Sequence, residues 1–295
     1  MPPVEQPFES DLHPHIALTG ESPVWDPGRN VLWWIDVQGQ WLLGWSSDTG
    51  SIPNFPLPSQ PGLVALTTSG DLIIGLEDGL WRYSPEAGSL DLLCPVEPDN
   101  SSTRINDGKP DRQGRLWFGT MEKHGGGAPV GGLYCFDPMA GLVQVRDQVR
   151  IPNAIAISPA GDRLYFADSP TGVVESWRIE PDRPALAEQS VLATYSADEK
   201  PDGAAVDENG DIWIAVVGGW RLDRITAAGA RVAAVRLPVA RPTMPAFGGR
   251  DGRSLFVTSQ RRFLGHGDLS RQPGAGKLAR LQVSVSGMAA RRCRI

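Results

Sequence analysis

The chain has 295 residues, of which 41% are hydrophobic, a formal net charge of −6 and a pI near 5.3. This content is ample for a buried core, whereas no cluster of Lys and Arg is large enough to follow a phosphate backbone. Residues 1–15 contain Pro and acidic residues instead of a basic, apolar leader, and no run of 18 apolar residues occurs. We therefore expect a soluble cytoplasmic protein, a monomer or weak homo-oligomer, that binds neither nucleic acid nor membrane.

Gly and Pro interrupt the chain so often that only residues 184–195 keep a helical period. Instead, a Gly turn followed by a short apolar strand occurs six times. The turn glycines are Gly28, Gly70, Gly114, Gly161, Gly210 and Gly252. Their separations of 42 to 49 residues suit four antiparallel strands of about five or six residues each, plus turns.

This repeat predicts an all-β protein, a single six-bladed β-propeller domain over residues 1–295 with four-stranded antiparallel blades around a central channel. A sandwich or barrel with evenly spaced strands is the alternative, but neither requires so narrow a period. We expect an N-terminal strand, within residues 16–19 or just before them, to close the last blade. That blade would contain residues 254–258 and 278–283, and the tail 286–295 would fray.

Four polar segments interrupt the repeats just ahead of a Gly turn. Glu21, Asn106, Asn153 and Asp202 stand 7 or 8 residues before it, so they should ring one end of the channel. Two carboxylates and two amides form an all-oxygen set that suits Ca²⁺, Mg²⁺ or Mn²⁺ and does not exclude Zn²⁺ or Fe²⁺. Taken singly, Asn and Asp after Pro are more often turn formers, but four at one phase favour a site.

The segments GESPVW, RINDGKPDRQGRLWFGTM, IPNAIAISPAGDRLYFADS, KPDGAAVDENGDIWIA and RPTMPAFGGRDGRSLFVTS resemble the SMP-30/gluconolactonase (regucalcin-like) family of six-bladed propeller lactonases. The resemblance runs across nearly the whole chain. It implies that Glu21, Asn153 and Asp202 bind the catalytic metal, that Arg104 and Asn106 hold the substrate, and that Asp202 is also the general base.

These features together predict a metal-dependent sugar-lactone hydrolase that opens an aldono- or aldarolactone to the free sugar acid. The expected cofactor is one divalent ion, Ca²⁺ first, with Zn²⁺, Mg²⁺, Mn²⁺ or Fe²⁺ as alternatives. No GxSxG elbow occurs, and Cys94, Cys135 and Cys293 stand in no motif with His, so water activated by Asp202 is the expected nucleophile. The alternative is a non-catalytic calcium-binding or protein-interaction propeller.

Three positions depart from the family pattern. Ala154 replaces a Gly, Ala246 stands where Cys is frequent, and Lys123 with His124 occupies a loop that is often acidic or small. We hypothesise that Lys123 and His124 bind a substrate carboxylate, which would favour aldarolactones. In the alternative, the loop binds no carboxylate and Arg104 only hydrogen-bonds the hydroxyls of a neutral lactone. Residues 122–127 are either a mobile lid or a plain connection.

Two aromatic groups have simpler interpretations. His13 and His15 are interpreted as solvent-facing residues of the N-terminal segment and not as a metal pair. Four Trp residues near the first repeat are interpreted as packing between blades, with sugar stacking as the alternative. They are Trp33, Trp34, Trp41 and Trp45.

Overall fold

Short strands dominate residues 8–295, the part of the chain that the computed structural model describes. Residues 1–7 of the predicted domain lie outside the described residues. The strands of the first half are β1 (Phe8–Glu9), β2 (Gly20–Asp26), β3 (Val31–Asp36), β4 (Trp41–Ser46), β5 (Gly50–Pro56), β6 (Leu63–Thr67), β7 (Leu72–Gly75), β8 (Gly79–Ser84), β9 (Ser89–Pro95), β10 (Thr103–Pro110), β11 (Leu116–Glu122), β12 (Gly131–Asp137) and β13 (Gly141–Val149).

The strands of the second half are β14 (Pro152–Ile157), β15 (Arg163–Asp168), β16 (Val173–Ile179), β17 (Leu186–Thr194), β18 (Lys200–Val206), β19 (Ile212–Val217), β20 (Arg221–Ile225), β21 (Arg231–Arg236), β22 (Pro242–Gly248), β23 (Ser254–Ser259), β24 (Ala279–Gln282) and β25 (Arg292–Cys293). Within residues 8–295 the helical segments are a 3₁₀ turn, Ser169–Thr171, and one α-helix, α1 (His266–Arg271). No helix in this part of the chain is long and apolar enough to cross a membrane.

The strands pair in chain order into antiparallel sheets. Blades 1 to 5 are β2–β5, β6–β9, β10–β13, β14–β17 and β18–β21, and blade 6 combines β22, β23 and β24 with β1. The predicted six-bladed β-propeller with four-stranded antiparallel blades is confirmed. Residues 184–195 contain β17 instead of a helix, because their backbone pairs with β16 and this tertiary pairing overrides a weak local period.

The N-terminal strand of blade 6 begins earlier than expected. It is β1, which pairs with β24 through Phe8 and Leu281. Of residues 16–19, only Thr19 makes a β-bridge, with Gln260. These residues are held differently, because the carboxylate of Asp36 accepts hydrogen bonds from the backbone N–H groups of Leu18 and Thr19.

The chain groups into two compact units. Unit 1 consists of the described residues up to Pro58 together with Tyr195–Ala289, and unit 2 of Ser59–Thr194 and Ala290–Ile295. Unit 1 therefore contains blades 1, 5 and 6, and unit 2 contains blades 2, 3 and 4. The prediction of a single domain stays a prediction.

Each unit is held together by apolar side chains between neighbouring blades. In unit 1, the ring of Trp25 from blade 1 stacks on Phe256 from blade 6, with centroids 5.9 Å apart. Trp33, Trp34 and Trp45 are buried, which supports packing over sugar stacking. In unit 2, equivalent clusters join blades 2 and 3 and blades 3 and 4.

The turn glycines explain the repeat. Five of the six have a positive φ, between 68° and 95°, which only glycine adopts at little cost. Blade 1 is the exception, since its positive φ of 54° belongs to Asn30 and not to Gly28. Asn tolerates this conformation better than most residues. Either a glycine or this asparagine can therefore reverse the chain between the first two strands of a blade.

The C-terminal segment does not fray, contrary to the prediction for residues 286–295. β25 pairs in parallel with β6, and Cys293 is fully buried. The backbone N–H of Thr68 donates to the Cys293 carbonyl at 2.8 Å, and Ser69 donates to Ile295 at 2.9 Å. Arg294 donates to the Gly114 carbonyl at 3.1 Å. The segment is ordered because it satisfies backbone groups in the hairpin turns of blades 2 and 3.

Removal of residues 291–295 should lower the free energy of unfolding by about 3 kcal/mol or more, because one buried side chain and several backbone hydrogen bonds of roughly 1 kcal/mol each are lost. The matched control ends at Cys293, keeps that buried side chain and the hydrogen bond from Thr68, and should therefore lose less than the longer truncation. Urea denaturation measures both. Equal stability of the full chain and the longer truncation would contradict this role.

His13 lies in the core of unit 1, so the interpretation of it as solvent-facing is wrong. Its ring meets Trp34 edge-on with centroids 4.9 Å apart, and its Nδ1 accepts the backbone N–H of His15 at 3.1 Å. Burial, with a smaller effect from His15, lowers the pKa of His13 to about 4. The folded protein therefore keeps this imidazole neutral.

We expect stability to fall as the pH drops from about 6.5 to about 4. In this window the unfolded chain binds a proton at His13, whose ordinary pKa is about 6.5, while the folded chain does not. The loss is about 3 kcal/mol at most, and none of it arises above the unfolded pKa. His13→Phe keeps a ring and removes the titration. Between about pH 6.5 and 4, the unfolding free energy of this variant should therefore fall by less than that of the wild type, with a difference of about 3 kcal/mol at most. Identical pH dependence in urea melts of the two proteins would argue against it.

Candidate active site

The four predicted ring residues all lie at a β-bulge in the first strand of their blade. In β10, Asn106 is the extra residue between the paired Ile105 and Asp107. In β18, Asp202 stands in the bulge that follows Pro201. Glu21 in β2 and Asn153 in β14 are the other two residues. In both strands the pairing register with the next strand shifts directly after them. A bulge interrupts the regular alternation of side chains, so a polar residue can stand in an otherwise buried strand.

Asn106 and Asn153 meet in unit 2, and their hydrogen bonds fix both amides. The Nδ2 of Asn106 donates to the carbonyl of Pro152 at 2.9 Å and to Asn153 Oδ1 at 3.1 Å. Because Pro152 offers only an acceptor, Asn106 must present its NH₂ group, and Asn153 must present its oxygen. The Nδ2 of Asn153 donates to Ser169 Oγ at 2.9 Å. A second lone pair of Asn153 Oδ1 remains for a further ligand.

A carboxylate that the sequence analysis missed holds the residues before Asn153. Asp168, the last residue of β15, accepts the backbone N–H groups of Ile151 at 2.9 Å and Arg150 at 3.2 Å. It is buried, so its role is to position the start of β14.

Asp36 has the same role in blade 1 of unit 1. It is the last residue of β3, and it accepts the N–H groups of Leu18 and Thr19, which precede Glu21 by three and two residues. Asp168 likewise holds the residues that stand three and two positions before Asn153. A sequence signal was available, since the repeats VLWWID and RLYFAD are the two whose second strand ends in Asp.

Arg104 is buried at the start of β10, and its Nη1 donates to the Ile105 carbonyl at 2.8 Å. That carbonyl packs closely on Gly62, where an added Cβ would lie 2.0 Å from the oxygen. A residue other than glycine at position 62 would therefore displace the group that Arg104 binds. The sequence analysis did not single out Gly62.

Asp107, the residue after Asn106, is fully buried and its Oδ2 accepts the Ile155 backbone N–H at 3.0 Å. Burial raises its pKa, an effect that the charge of Lys109 partly opposes. The hydrogen bond joins blades 3 and 4 beside the Asn106–Asn153 pair, so Asp107 positions the site.

Glu21 and Asp202 belong to unit 1, and both are half-buried. The Oε2 of Glu21 accepts the backbone N–H of Ser22 at 3.0 Å, and Ser22 has a φ of 49°. In the described residues no group of three His, Cys, Asp or Glu side chains is placed to hold a metal. The predicted set of Glu21, Asn153 and Asp202 contains only two such residues and takes its third oxygen from an amide.

The basic loop after β11 has part of its charge neutralised. Lys123 forms an ion pair with Glu77, and its backbone N–H donates to the Ser102 carbonyl at 2.8 Å. His124 is exposed. The structure therefore groups Arg104, Asn106 and Asn153 in unit 2, and it provides Lys123 with a carboxylate partner from the protein itself.

Ala154 follows Asn153 with a φ of 51° and is fully buried. This left-handed conformation costs most L-residues about 1 to 2 kcal/mol, which explains why the resemblance leads one to expect Gly here. Ala246, the second departure, is buried in the cluster around Trp25 and Phe256.

Ala154→Gly should change the free energy of unfolding by less than about 1 kcal/mol, because relief of the left-handed conformation offsets the lost methyl group and the greater freedom of the unfolded chain. Ala156 is buried in the same strand with an ordinary φ, so Ala156→Gly should cost about 1 kcal/mol or more. Ala154→Val should cost about 3 kcal/mol because a β-branched residue resists a positive φ. Thermal and urea melts compare the three variants. Equal losses for the two Gly variants would show that position 154 is not strained.

Known proteins resemble this chain in sequence and in fold. The family model of the SMP-30/gluconolactonase/LRE-like region matches residues 19–261. The chain is 31% identical to regucalcin of Gallus gallus, over 87% of this chain and 88% of that protein. It is 30% identical to a 6-deoxy-6-sulfogluconolactonase of Pseudomonas putida, over 92% and 94% of the two chains. A solved structure of a calcium-binding protein, regucalcin, from Agrobacterium tumefaciens superimposes with a TM-score of 0.92 at 27% identity, covering 98% of this chain and 99% of that one.

Proposed function

Because the chain belongs to the SMP-30/gluconolactonase/LRE-like family, we propose that it is a lactonase that hydrolyses a sugar lactone to the free sugar acid. A relative similar over most of its length is a 6-deoxy-6-sulfogluconolactonase, which supports a small sugar lactone as the substrate class. The observation that carries the proposal is the hydrogen bond between Asn106 and Asn153, because it joins an expected substrate residue to an expected metal residue.

We assign Glu21, Asn153 and Asp202 to one divalent metal ion. The donor chemistry fits, since two carboxylates and an amide oxygen are hard ligands with a combined charge of −2. The orientation of Asn153 also fits, because its NH₂ group is used by Ser169 and its oxygen keeps a free lone pair. Ca²⁺ is the first choice, in line with the calcium-binding relative of known structure, and Zn²⁺, Mg²⁺, Mn²⁺ and Fe²⁺ are the alternatives.

When bound, a divalent cation supplies a Lewis acid that polarises a carbonyl group and lowers the pKa of water. Asp202, which is half-buried and so open to water, takes a proton from the water molecule that attacks the lactone carbonyl carbon. The ring C–O bond then breaks, and the proton passes to the leaving oxygen, which becomes a hydroxyl group. The product is the open hydroxy acid.

Arg104 and Asn106 are proposed to orient the substrate. Both stand in β10, and Arg104 is buried with its guanidinium held by the Ile105 carbonyl, so it presents its donors from a fixed position. Fixed donors beside the reacting group raise the rate because little reorganisation is needed.

A covalent route through cysteine has no support. Burial raises the pKa of Cys94, Cys135 and Cys293 above the ordinary thiol value, which disfavours the reactive thiolate. Water therefore remains the proposed nucleophile. The choice between aldono- and aldarolactones, the role of His124 and the cytoplasmic location stay predictions.

Asp202→Asn should keep the fold and lower kcat/KM about 10²- to 10⁴-fold, because the general base is lost. Glu21→Gln should chiefly raise the metal concentration needed for half-maximal activity, and its activity should recover at saturating metal. Asp198→Asn is the matched control, since it makes the same change at an exposed residue of the preceding turn and should have no effect.

The measurement is hydrolysis of a panel of aldono- and aldarolactones with chelator and after metal is restored. An Asp202→Asn protein with more than about a tenth of the wild-type turnover at saturating metal would remove Asp202 from this role. Calcium binding by calorimetry without hydrolysis of any lactone would favour the non-catalytic propeller.

A further inference from the structure

Arg241 is a cation beside the proposed site that the sequence analysis did not single out. It stands directly before β22 in unit 1 and is half-buried. Its Nε donates to Gln260 Oε1 at 2.8 Å, and the Gln260 backbone N–H donates to the Arg241 carbonyl at 2.9 Å. Gln260 is neutral, so it fixes the guanidinium without cancelling its charge. Across residues 8–295, no ion pair involves Arg241.

Arg241 and Asp202 stand at the same end of two neighbouring strands. β18 and β22 approach so closely that a Cβ added to Gly203, the residue after Asp202, would lie 2.5 Å from the Cβ of Met244. Burial lowers the pKa of Arg241, and the charge of Asp202 partly opposes this effect. The two side chains therefore interact electrostatically within unit 1.

Phe263 provides the second observation. It is 70% exposed, has a φ of 70°, and lies in the connection between β23 and β24. The Arg241 guanidinium lies 5.6 Å from its ring centroid, and that of Arg262 lies 4.6 Å away. A large exposed aromatic residue in a left-handed conformation is rare in a purely structural turn. Here it holds two cations against one ring beside the proposed site.

We propose that Arg241, positioned by Gln260 and Phe263, determines specificity by binding an anionic group on the lactone. The ligand chemistry is a carboxylate or sulfonate at the far end of the sugar chain. A guanidinium offers paired N–H donors that match such an oxyanion, and within residues 8–295 no carboxylate accepts a hydrogen bond from Nη1 or Nη2 of Arg241. This inference rests on the proposed lactonase function.

The charge balance of the protein favours Arg241 over the loop at residues 122–127. At a net charge of −6 the protein as a whole repels anions, so an anionic substrate requires a local cation that is not held in a contact ion pair. Lys123 is paired with Glu77, whereas Arg241 is held by a neutral amide.

The experiment compares kcat/KM for gluconolactone, an aldaric acid monolactone and a 6-sulfonated gluconolactone. Arg241→Gln should lower the ratio of anionic to neutral substrate about 10- to 100-fold, through the loss of a charge-assisted hydrogen bond. Arg253→Gln is the matched control, because Arg253 is exposed at the opposite end of the β22–β23 hairpin and its replacement should leave the ratio unchanged. Lys123→Gln should also leave it unchanged. A fall for only one of the two anionic lactones identifies the oxyanion that Arg241 binds.

An unchanged ratio in Arg241→Gln, with lactonase activity intact, overturns the inference and leaves the proposed function standing. A fall in Lys123→Gln alone overturns it in favour of the loop. Hydrolysis of no lactone by the wild-type protein overturns the proposed function, and the inference with it. If Arg241→Gln does not fold, Arg241→Lys tests the same point. It keeps the charge but loses the paired donors, so the ratio of anionic to neutral substrate should still fall, and an unchanged ratio overturns the inference.

Discussion

The β-bulge in the first strand of a blade is the constraint on which the candidate site depends. Most residues of these strands are buried, where a charged side chain is costly unless it is hydrogen-bonded, as Arg104 and Asp107 are. The bulge takes a residue out of the register of the strand pair, so the side chains of Asn106 and Asp202 can leave the apolar interior. Blade 2 shows the contrast, because β6 pairs with β7 without a register shift, and all its residues are buried.

The carboxylates in and beside the candidate site divide into two groups by burial. Asp36, Asp107 and Asp168 are buried and accept backbone N–H groups, so their oxygens position the strands that carry the site. Glu21 and Asp202 are half-buried and therefore partly exposed to solvent. A buried carboxylate that accepts a backbone N–H group is shielded from water and cations, so burial separates the anchoring acids from those proposed for chemistry.

The same distinction applies to the cations. Lys123 and Arg241 each carry one positive charge, but Lys123 has Glu77 as a counter-ion and Arg241 is held by the amide of Gln260. An ion pair largely cancels the field of its cation, whereas a neutral hydrogen-bond acceptor orients a guanidinium and preserves its charge. This difference in partner is the reason why Arg241, and not Lys123, is proposed to bind an anion.

Local patterns in the sequence determined much of this protein. The spacing of the turn glycines predicted six blades, because a left-handed turn residue is a property of the backbone at one position. The common phase of Glu21, Asn106, Asn153 and Asp202 selected four residues that all lie at β-bulges, although the bulges themselves were not predicted. Only the tertiary structure decided the partner of Lys123, the burial of His13 and the pairing of β25 with β6. Each of these features depends on which residues distant in the sequence become neighbours in the fold. A local sequence pattern contains no information about such contacts.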